Sequence, residues 1–338
     1  KILFFHLEKI SKNNMLFKLT PFLVFTFSCF LTWIILGRLI PYLSNFLMDE
    51  PNERSSHSIA TPNGGGIVFV LIGTLFSTLW GNFIPLCCFP LAIVGLIDDQ
   101  YKLSNSLRYF FQVFTVIVLI LNMPWFDELL ANYSFIFLCL RFFLLVFLGT
   151  AIINFINFMD GLDGLVAGCM AICIGTASLI LSSSYLALFG ALLGFLAWNW
   201  SPAKVFMGDT GSTFLGSIFV GLIFSSDGVK ASFGFLLLAT PLLGDACTCV
   251  IRRFFSGHCI FHPHRLHLYQ RLNQAGWRHS QVASLYISAT FILTFSFIFG
   301  GFQWALVSSS IVVSLGFLLD KYVSFPFYLA YSKSKIGK

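Results

Sequence analysis

Charge is scarce in this chain. Only 10% of its 338 residues are Asp, Glu, Lys or Arg, against roughly 25% in a soluble domain. With 57% hydrophobic residues and a mean hydropathy of +0.85, a soluble globular fold is excluded. Short segments alternating apolar and polar residues are also missing, which excludes a closed membrane β-barrel. Nor is there a set of cysteines spaced in polar loops. Of the nine, Cys29, Cys87, Cys88, Cys139, Cys169, Cys173, Cys247 and Cys249 lie in apolar runs, where thiols act as small hydrophobes, so no disulfide framework is expected.

Long apolar runs are what remains. Windows able to cross about 30 Å of hydrocarbon fall at 19–41, 64–80, 83–97, 107–122, 134–154, 164–182, 185–199, 212–225, 231–251, 282–299 and 302–319. The expectation is an all-α polytopic integral membrane protein of about 11 (10–11) transmembrane helices. Residues 1–14 precede Met15 without a Met of their own and read as a non-native or disordered extension. Residues 15–322 read as one membrane domain, and 323–338 as a basic cytoplasmic tail. The first apolar run is too long for a signal peptide and lacks a small-residue cleavage site, so it is expected to stay as a helix.

Counting loops alternately places 42–63, 98–106, 155–163, 200–211, 252–281 and the C-terminus on one face. That face carries fourteen of the 20 basic residues, and Lys1, Lys9 and Lys12 of the remainder belong to the doubtful extension. By the positive-inside rule it is expected to be cytoplasmic. Every polar motif falls on the same face, although the charge count used none of them.

Asn154, Asn157, Asp160 and Asp163 recur every three residues directly beside membrane-grade sequence. An ionised Asp inside a span costs about 2.5–3.5 kcal/mol on insertion scales, so such a stripe faces water, an ion or a substrate. A polar helix interface is the blander explanation. Asp98 and Asp99 close the third span with Lys102 behind them, and adjacent carboxylates bind a metal or share a proton unless they are simply solvated. The run from Asn199 through Pro202, Phe206 and Gly208 to Asp209 turns into a new helix start. There a divalent ion could hold phosphate oxygens against backbone N–H groups, or the acid could merely cap the helix. The loop 252–281 concentrates His258, His262, His264, Arg265, His267, Arg271 and His279, suited to anionic substrate; zinc at Cys259 reads as improbable for want of a second loop cysteine. Finally, Arg54, His57 and Thr61 lead into Gly64-Gly65-Gly66, a flexible entrance suited to closing over phosphate.

Together these segments, spanning about 49–275, resemble the polyprenyl-phosphate N-acetylhexosamine-1-phosphate transferase superfamily. The resemblance rests on Asp98-Asp99-x-x-Lys102, Asn154-x-x-Asn157-x-x-Asp160-Gly-x-Asp163-Gly, Asn199-x-x-Pro202-Ala203 with Phe206-Met207-Gly208-Asp209-Thr210-Gly211, and the His/Arg loop, in the family's order. It implies transfer of a sugar 1-phosphate from a UDP-N-acetylhexosamine to undecaprenyl phosphate with release of UMP, at the cytoplasmic side of a bacterial inner membrane. It also implies Mg2+, with Mn2+ as a substitute, held by Asp209 and Asp163. Asp98, Asp99, Lys102 and His267 would be catalytic. Substrate would be bound by Asn154, Asn157, Asp160, Asp163, Thr61, His264 and Arg265, with Asn199 and Phe206 on the uracil. The partners are membrane lipid and these two substrates, not nucleic acid; a homodimer is allowed but not required. Tyr269 and Gln270 depart from the histidine runs of the peptidoglycan and enterobacterial GlcNAc branches. The loop is similar to the O-antigen initiating branch, which takes FucNAc or QuiNAc donors, with GlcNAc or GalNAc donors also expected. Phospho-MurNAc-pentapeptide transfer and an ion-coupled transporter are the alternatives.

Overall fold

The computed structural model describes residues 15–51, 59–124, 135–257 and 264–336. Expectations for residues 1–14 and for Arg54, His57, His258, Cys259 and His262 lie outside the described residues.

Among the described residues the structure is helical apart from one small hairpin. Helix α1 (Met15–Phe46) leads into β1 (Met48–Asp49), which pairs antiparallel with β2 (Thr61–Pro62) in the register Met48 to Pro62 and Asp49 to Thr61. Then come α2 (Gly66–Leu79), α3 (Ile84–Tyr101), α4 (Asn105–Leu121), α5 (Phe135–Phe158) and α6 (Leu165–Ile180). After a short 3-10 turn follow α7 (Leu186–Asn199), α8 (Gly208–Phe224), α9 (Gly228–Leu238), α10 (Thr240–Phe255), α11 (Leu268–Gln274), α12 (His279–Tyr322) and α13 (Phe327–Ile336).

Each of the eleven apolar windows coincides with helix, but the count of eleven crossings does not follow. Among the described residues, length and composition qualify four helices, Thr20–Phe46 within α1, α3, α5 and α12. A fifth crossing results if α9 and α10, bent by 76° at their junction, act as one broken span. Helices α2, α4, α6, α7 and α8 have 14 to 17 residues, about 21–26 Å at 1.5 Å per residue, short of a full hydrocarbon core. The windows 282–299 and 302–319 merge in α12, whose Gly301 has φ 68 and ψ −165. Ser308 Oγ donates to Ser296 Oγ at 2.8 Å. In a straight helix residues twelve apart lie about 18 Å from one another, so α12 doubles back at Gly301 into two antiparallel arms.

Helix α8 is the hub, buried without a break from Thr210 to Phe224. A helix apolar all round must be enclosed by others, and α2, α3, α4, α5, α6 and α9 pack around it. Outer helices instead turn large apolar side chains outward, such as Phe135, Ile136 and Phe143 of α5. That is the reverse of a water-soluble surface and matches contact with lipid. The ends of α3, α5 and α7 and the starts of α4, α6 and α8 all meet at one end of the bundle, where the polar motifs gather.

Candidate active site

The two adjacent aspartates diverge. Successive helix residues point about 100° apart, so Asp98 faces α4 while Asp99 faces α8. Asp98 Oδ1 accepts from Leu103 N at 2.6 Å, and its Oδ2 from Arg108 Nη1 at 2.7 Å. Asp99 receives Asp209 N at 2.9 Å, Thr210 N at 3.2 Å and Thr210 Oγ1 at 2.8 Å, capping the first turn of α8 from another helix. Capping carboxylates satisfy N–H groups a helix cannot bond internally. Gly208 makes the approach feasible, since it sits at φ +70 and a Cβ there would run into the Asp99 carboxylate.

Asp209 is thereby aimed at the cluster. Its Oδ1 accepts from Asn157 Nδ2 at 3.1 Å and its Oδ2 lies 3.4 Å from Arg108 Nη1. Arg108 therefore bridges Asp98 and Asp209. Asn154 is engaged further along α5 in a reciprocal amide pair with Gln112, at 2.7 and 3.2 Å. Asp160 follows in the break between α5 and α6. Burial first, then the charges of Asp209, Asp99 and Asp163, push its carboxyl well above the usual carboxylate range.

Asp163 is tied differently. Its Oδ2 accepts from Ala203 N at 3.2 Å and from His279 Nδ1 at 3.1 Å. Burial alone would raise its pKa, but the His279 ring and these hydrogen bonds outweigh burial and lower it. Asn199 is 4% exposed and spends both ends of its carboxamide on backbone, with Gly164 N donating to Oδ1 at 3.1 Å and Nδ2 donating to Val205 O at 3.0 Å. Asp163 and Asn199 thus bind the 159–164 and 200–207 loops to each other. Phe206 is half-buried, and its backbone zips to the glycine entrance through Phe206 N to Pro62 O at 2.8 Å and Gly65 N to Phe206 O at 2.9 Å. Thr61 is buried there and donates to Ile59 O. Lys102 is exposed at the left-handed end of α3.

The basic loop docks through α11, whose cap comes from a residue the sequence reading passed over. Asp245 on α10 accepts from Leu268 N at 2.7 Å, Tyr269 N at 3.0 Å and Tyr286 Oη at 2.8 Å. Tyr269 then reaches the acidic loop, donating to Phe158 O at 3.0 Å. His267 is buried beside Asp245, its Nδ1 3.6 Å from Oδ1. Burial opposes its charge, yet the Asp245 carboxylate and Cys249 prevail and push it up to about 9. Half-buried His264 goes the other way, pushed down to about 3 by burial and by the charges of His267 and Arg253. Arg265 is half-buried beside them. Arg108, Gln112 and Asp245 were not singled out from sequence; each is a strongly polar side chain within an apolar window, the first two in the same one, which was the available signal.

A glycosyl transferase family 4 model matches residues 82–227, the stretch that carries Asp98, Asp160 and Asp209. The chain is 32% identical over 292 residues, 79% of each sequence, to a protein of Bacillus subtilis (strain 168) named probable undecaprenyl-phosphate N-acetylglucosaminyl 1-phosphate transferase. The chain belongs to this polyprenyl-phosphate sugar-phosphate transferase superfamily. Other superfamily members show the same reach. An undecaprenyl-phosphate alpha-N-acetylglucosaminyl 1-phosphate transferase of Salmonella typhi is 28% identical over 275 residues, covering 73% of this chain and 74% of its own. A phospho-N-acetylmuramoyl-pentapeptide-transferase of Pelagibacter ubique (strain HTCC1062) is 29% identical over 293 residues, 69% of this chain and 78% of its own. Superfamily membership and the outward apolar helices make the chain a membrane enzyme of the sugar-phosphate transferase kind.

The superfamily resemblance also implies a divalent ion. Asp209 and Asp160 offer oxygen donors, and the groups that shift Asp160 electrostatically are all carboxylates. Such a hard, all-oxygen donor set fits Mg2+ even with Arg108 beside Asp209. A cavity of about 240 Å3 lies apart from these acids, between α10 and the two arms of α12, and its lining is mainly apolar, including Pro241, Leu285, Ile292, Val312 and Phe317.

Proposed function

We propose that this protein transfers a sugar 1-phosphate from a UDP-N-acetylhexosamine to undecaprenyl phosphate. An oxygen of the lipid phosphate attacks the β-phosphorus of the donor, and the bond from that phosphorus to the bridging oxygen breaks. UMP leaves with the bridging oxygen, and a lipid-linked diphosphoryl sugar remains. The observation that carries this reading is the meeting of Asp98 and Asp209 at Arg108, with Asp160 electrostatically coupled to Asp209, at the helix ends of one bundle face.

Mg2+, with Mn2+ as a substitute, would be held by Asp209 and by Asp160 in place of the expected Asp163, whose Oδ2 is taken by His279 Nδ1 and Ala203 N, and would neutralise charge on the donor diphosphate. Arg108 is placed to pair with phosphate oxygens, because a guanidinium fork matches them. Asp98 orients Arg108 and need not act as a base, since a phosphate monoester is largely ionised at pH 7. Asp99 sets the direction of Asp209 by capping α8. Asn157 holds Asp209 from the other side, while Asp163 and Asn199 keep the two loops in register. Half-buried Phe206 is suited to stack on the uracil, and Arg265 and Lys102 to meet the anionic substrates.

The charge bias supports eleven crossings with this face in the cytoplasm, and the superfamily supports an inner-membrane location. Donors of the GlcNAc, FucNAc and QuiNAc type all fit this reading, and the product would start a lipid-linked glycan such as O-antigen. A transporter finds no support, because the acids stand at helix ends and the relatives are transferases.

Purified protein should release UMP from UDP-N-acetylhexosamines only when Mg2+ and undecaprenyl phosphate are both present. Asp209→Asn should lower turnover by about two to three orders of magnitude, the equivalent of several kcal/mol of lost charge stabilisation, while remaining folded. Lipid-independent release, or full turnover in Asp209→Asn, would refute the proposal. Preference for UDP-MurNAc-pentapeptide would move the protein to the peptidoglycan branch.

A further inference from the structure

Behind the acidic cluster, α10 carries a second set of polar groups, apart from the aspartates that meet Arg108. Asp245 and Cys249 stand four residues apart and so share one face of that helix. Opposite them, His264 and His267 leave the basic loop three residues apart, the second serving as N-cap of α11. Their rings lie side by side with centroids 5.0 Å apart. One ligand atom from each of Cys249, His264 and His267 falls within 4.8 Å of the others.

We propose that Cys249, His264 and His267 form a binding site for a zinc-class divalent cation, with Asp245 as its outer partner. The donor set is two imidazoles and a thiol, soft enough to select zinc over Mg2+. Zn–S and Zn–N bonds of about 2.3 and 2.0–2.1 Å put tetrahedral ligands about 3.3–3.6 Å apart, so side-chain adjustments of about 1 Å would close the site. Cys249 and His267 are each 3% exposed, whereas His264 is half-buried and opens the site to the loop side.

A buried donor supplies the second, independent observation. His267 Nδ1 is enclosed and has no hydrogen-bond partner, yet it faces Asp245 Oδ1 at 3.6 Å. Ligating histidines characteristically turn their other ring nitrogen to a carboxylate, which fixes the ring and strengthens its donor. Asp245 is in turn fixed by Leu268 N, Tyr269 N and Tyr286 Oη. Arg253 lies close enough to act on His264, but the thiolate and Asp245 supply two negative charges against it. On binding, protons displaced from the Cys249 thiol and the His267 imidazolium leave to solvent. Three protein ligands leave the fourth position for water.

The ion would clip the start of α11 to α10, and Tyr269 carries that constraint to Phe158 O beside Asp160. The proposal goes beyond the transferase reading and does not depend on it, because its readout is metal retention.

The experiment uses full-length protein in detergent, with any affinity tag removed, loaded with Zn2+ and dialysed against excess Mg2+. Elemental analysis should find about one zinc per chain. The Co2+ form should show a thiolate-to-cobalt charge-transfer band. Cys249→Ser should lose both signals, while Cys247→Ser and Cys259→Ser keep them. Wild type without retained zinc, a cobalt form without the thiolate band, or undiminished zinc in Cys249→Ser would overturn the proposal. Should Cys249→Ser fail to fold, the wild-type cobalt spectrum beside Cys259→Ser decides: persistence of the band supports Cys249, and its loss in Cys259→Ser overturns the assignment.

Discussion

Asp160 stands among carboxylates, and its titration is a direct handle on the cluster. Its folded-state pKa lies above the unfolded value of 3.8. For an acid raised in this way, stability is full below the unfolded value and falls as pH rises towards the folded one. Asp160→Asn removes that loss. In metal-free detergent solution the variant should melt above wild type at pH 8 and level with it at pH 4, with about 2–4 °C for each kcal/mol gained. Added Mg2+ should narrow the gap by stabilising wild type alone. A gap that ignores both pH and Mg2+ would separate Asp160 from the metal. At this scale sequence singled out the polar residues at the span ends but not whom they face. Asp98 and Asp99 read as one pair, yet a helix sends neighbours to different partners. The Asn199 side chain reads as a ligand for a base, yet Gly164 N and Val205 O occupy it.

Capping from afar organises the elements. Asp99 caps α8 and Asp245 caps α11, each across a helix boundary. Removing a cap costs about 0.5–2 kcal/mol. Asp99→Ala should therefore lower the melting temperature and also turnover, because Asp209 loses its anchor. Asp99→Asn, which keeps an acceptor, should recover much of the stability. Loss of turnover with no change in melting, in both variants alike, would assign Asp99 to the chemistry instead of to α8. Gly301 is the corresponding feature of α12, since its φ of 68 and ψ of −165 suit only glycine. Gly301→Ala should cost about 1–3 kcal/mol, read as a lower melting temperature with Ser296 and Ser308 no longer paired. Helix positions were legible because apolar run length is a local property. The 76° break between α9 and α10 was not, because Pro241 inside an apolar run signals a bend without fixing its angle.

Across the whole molecule, one polar end and an apolar girdle imply an orientation in the membrane. Lys204 lies in the loop beside the acidic cluster and Lys230 near the start of α9, and both are exposed. With Cys139, Cys247 and Cys259 replaced by Ser, Lys230→Cys should react with an impermeant maleimide on intact spheroplasts. Lys204→Cys should react only in inverted vesicles. The opposite pattern would reverse the orientation, and labelling of both from one side would refute the alternating count of crossings.

The membrane class, the helix positions and the polar end were determined by sequence alone, since they depend on summed hydropathy, run length and charge. The docked tail shows what was not. Residues 323–338 read only as basic, yet Phe327 is buried and lies 5.6 Å from the guanidinium carbons of both Arg252 and Arg271, which also pair with Asp320. Partners of this kind lie from tens of residues to more than a hundred apart in the chain, as with Asp99 and Asp209, and no local pattern encodes them. Tertiary packing decided which carboxylate caps a helix, which holds Arg108, and which is left among like charges.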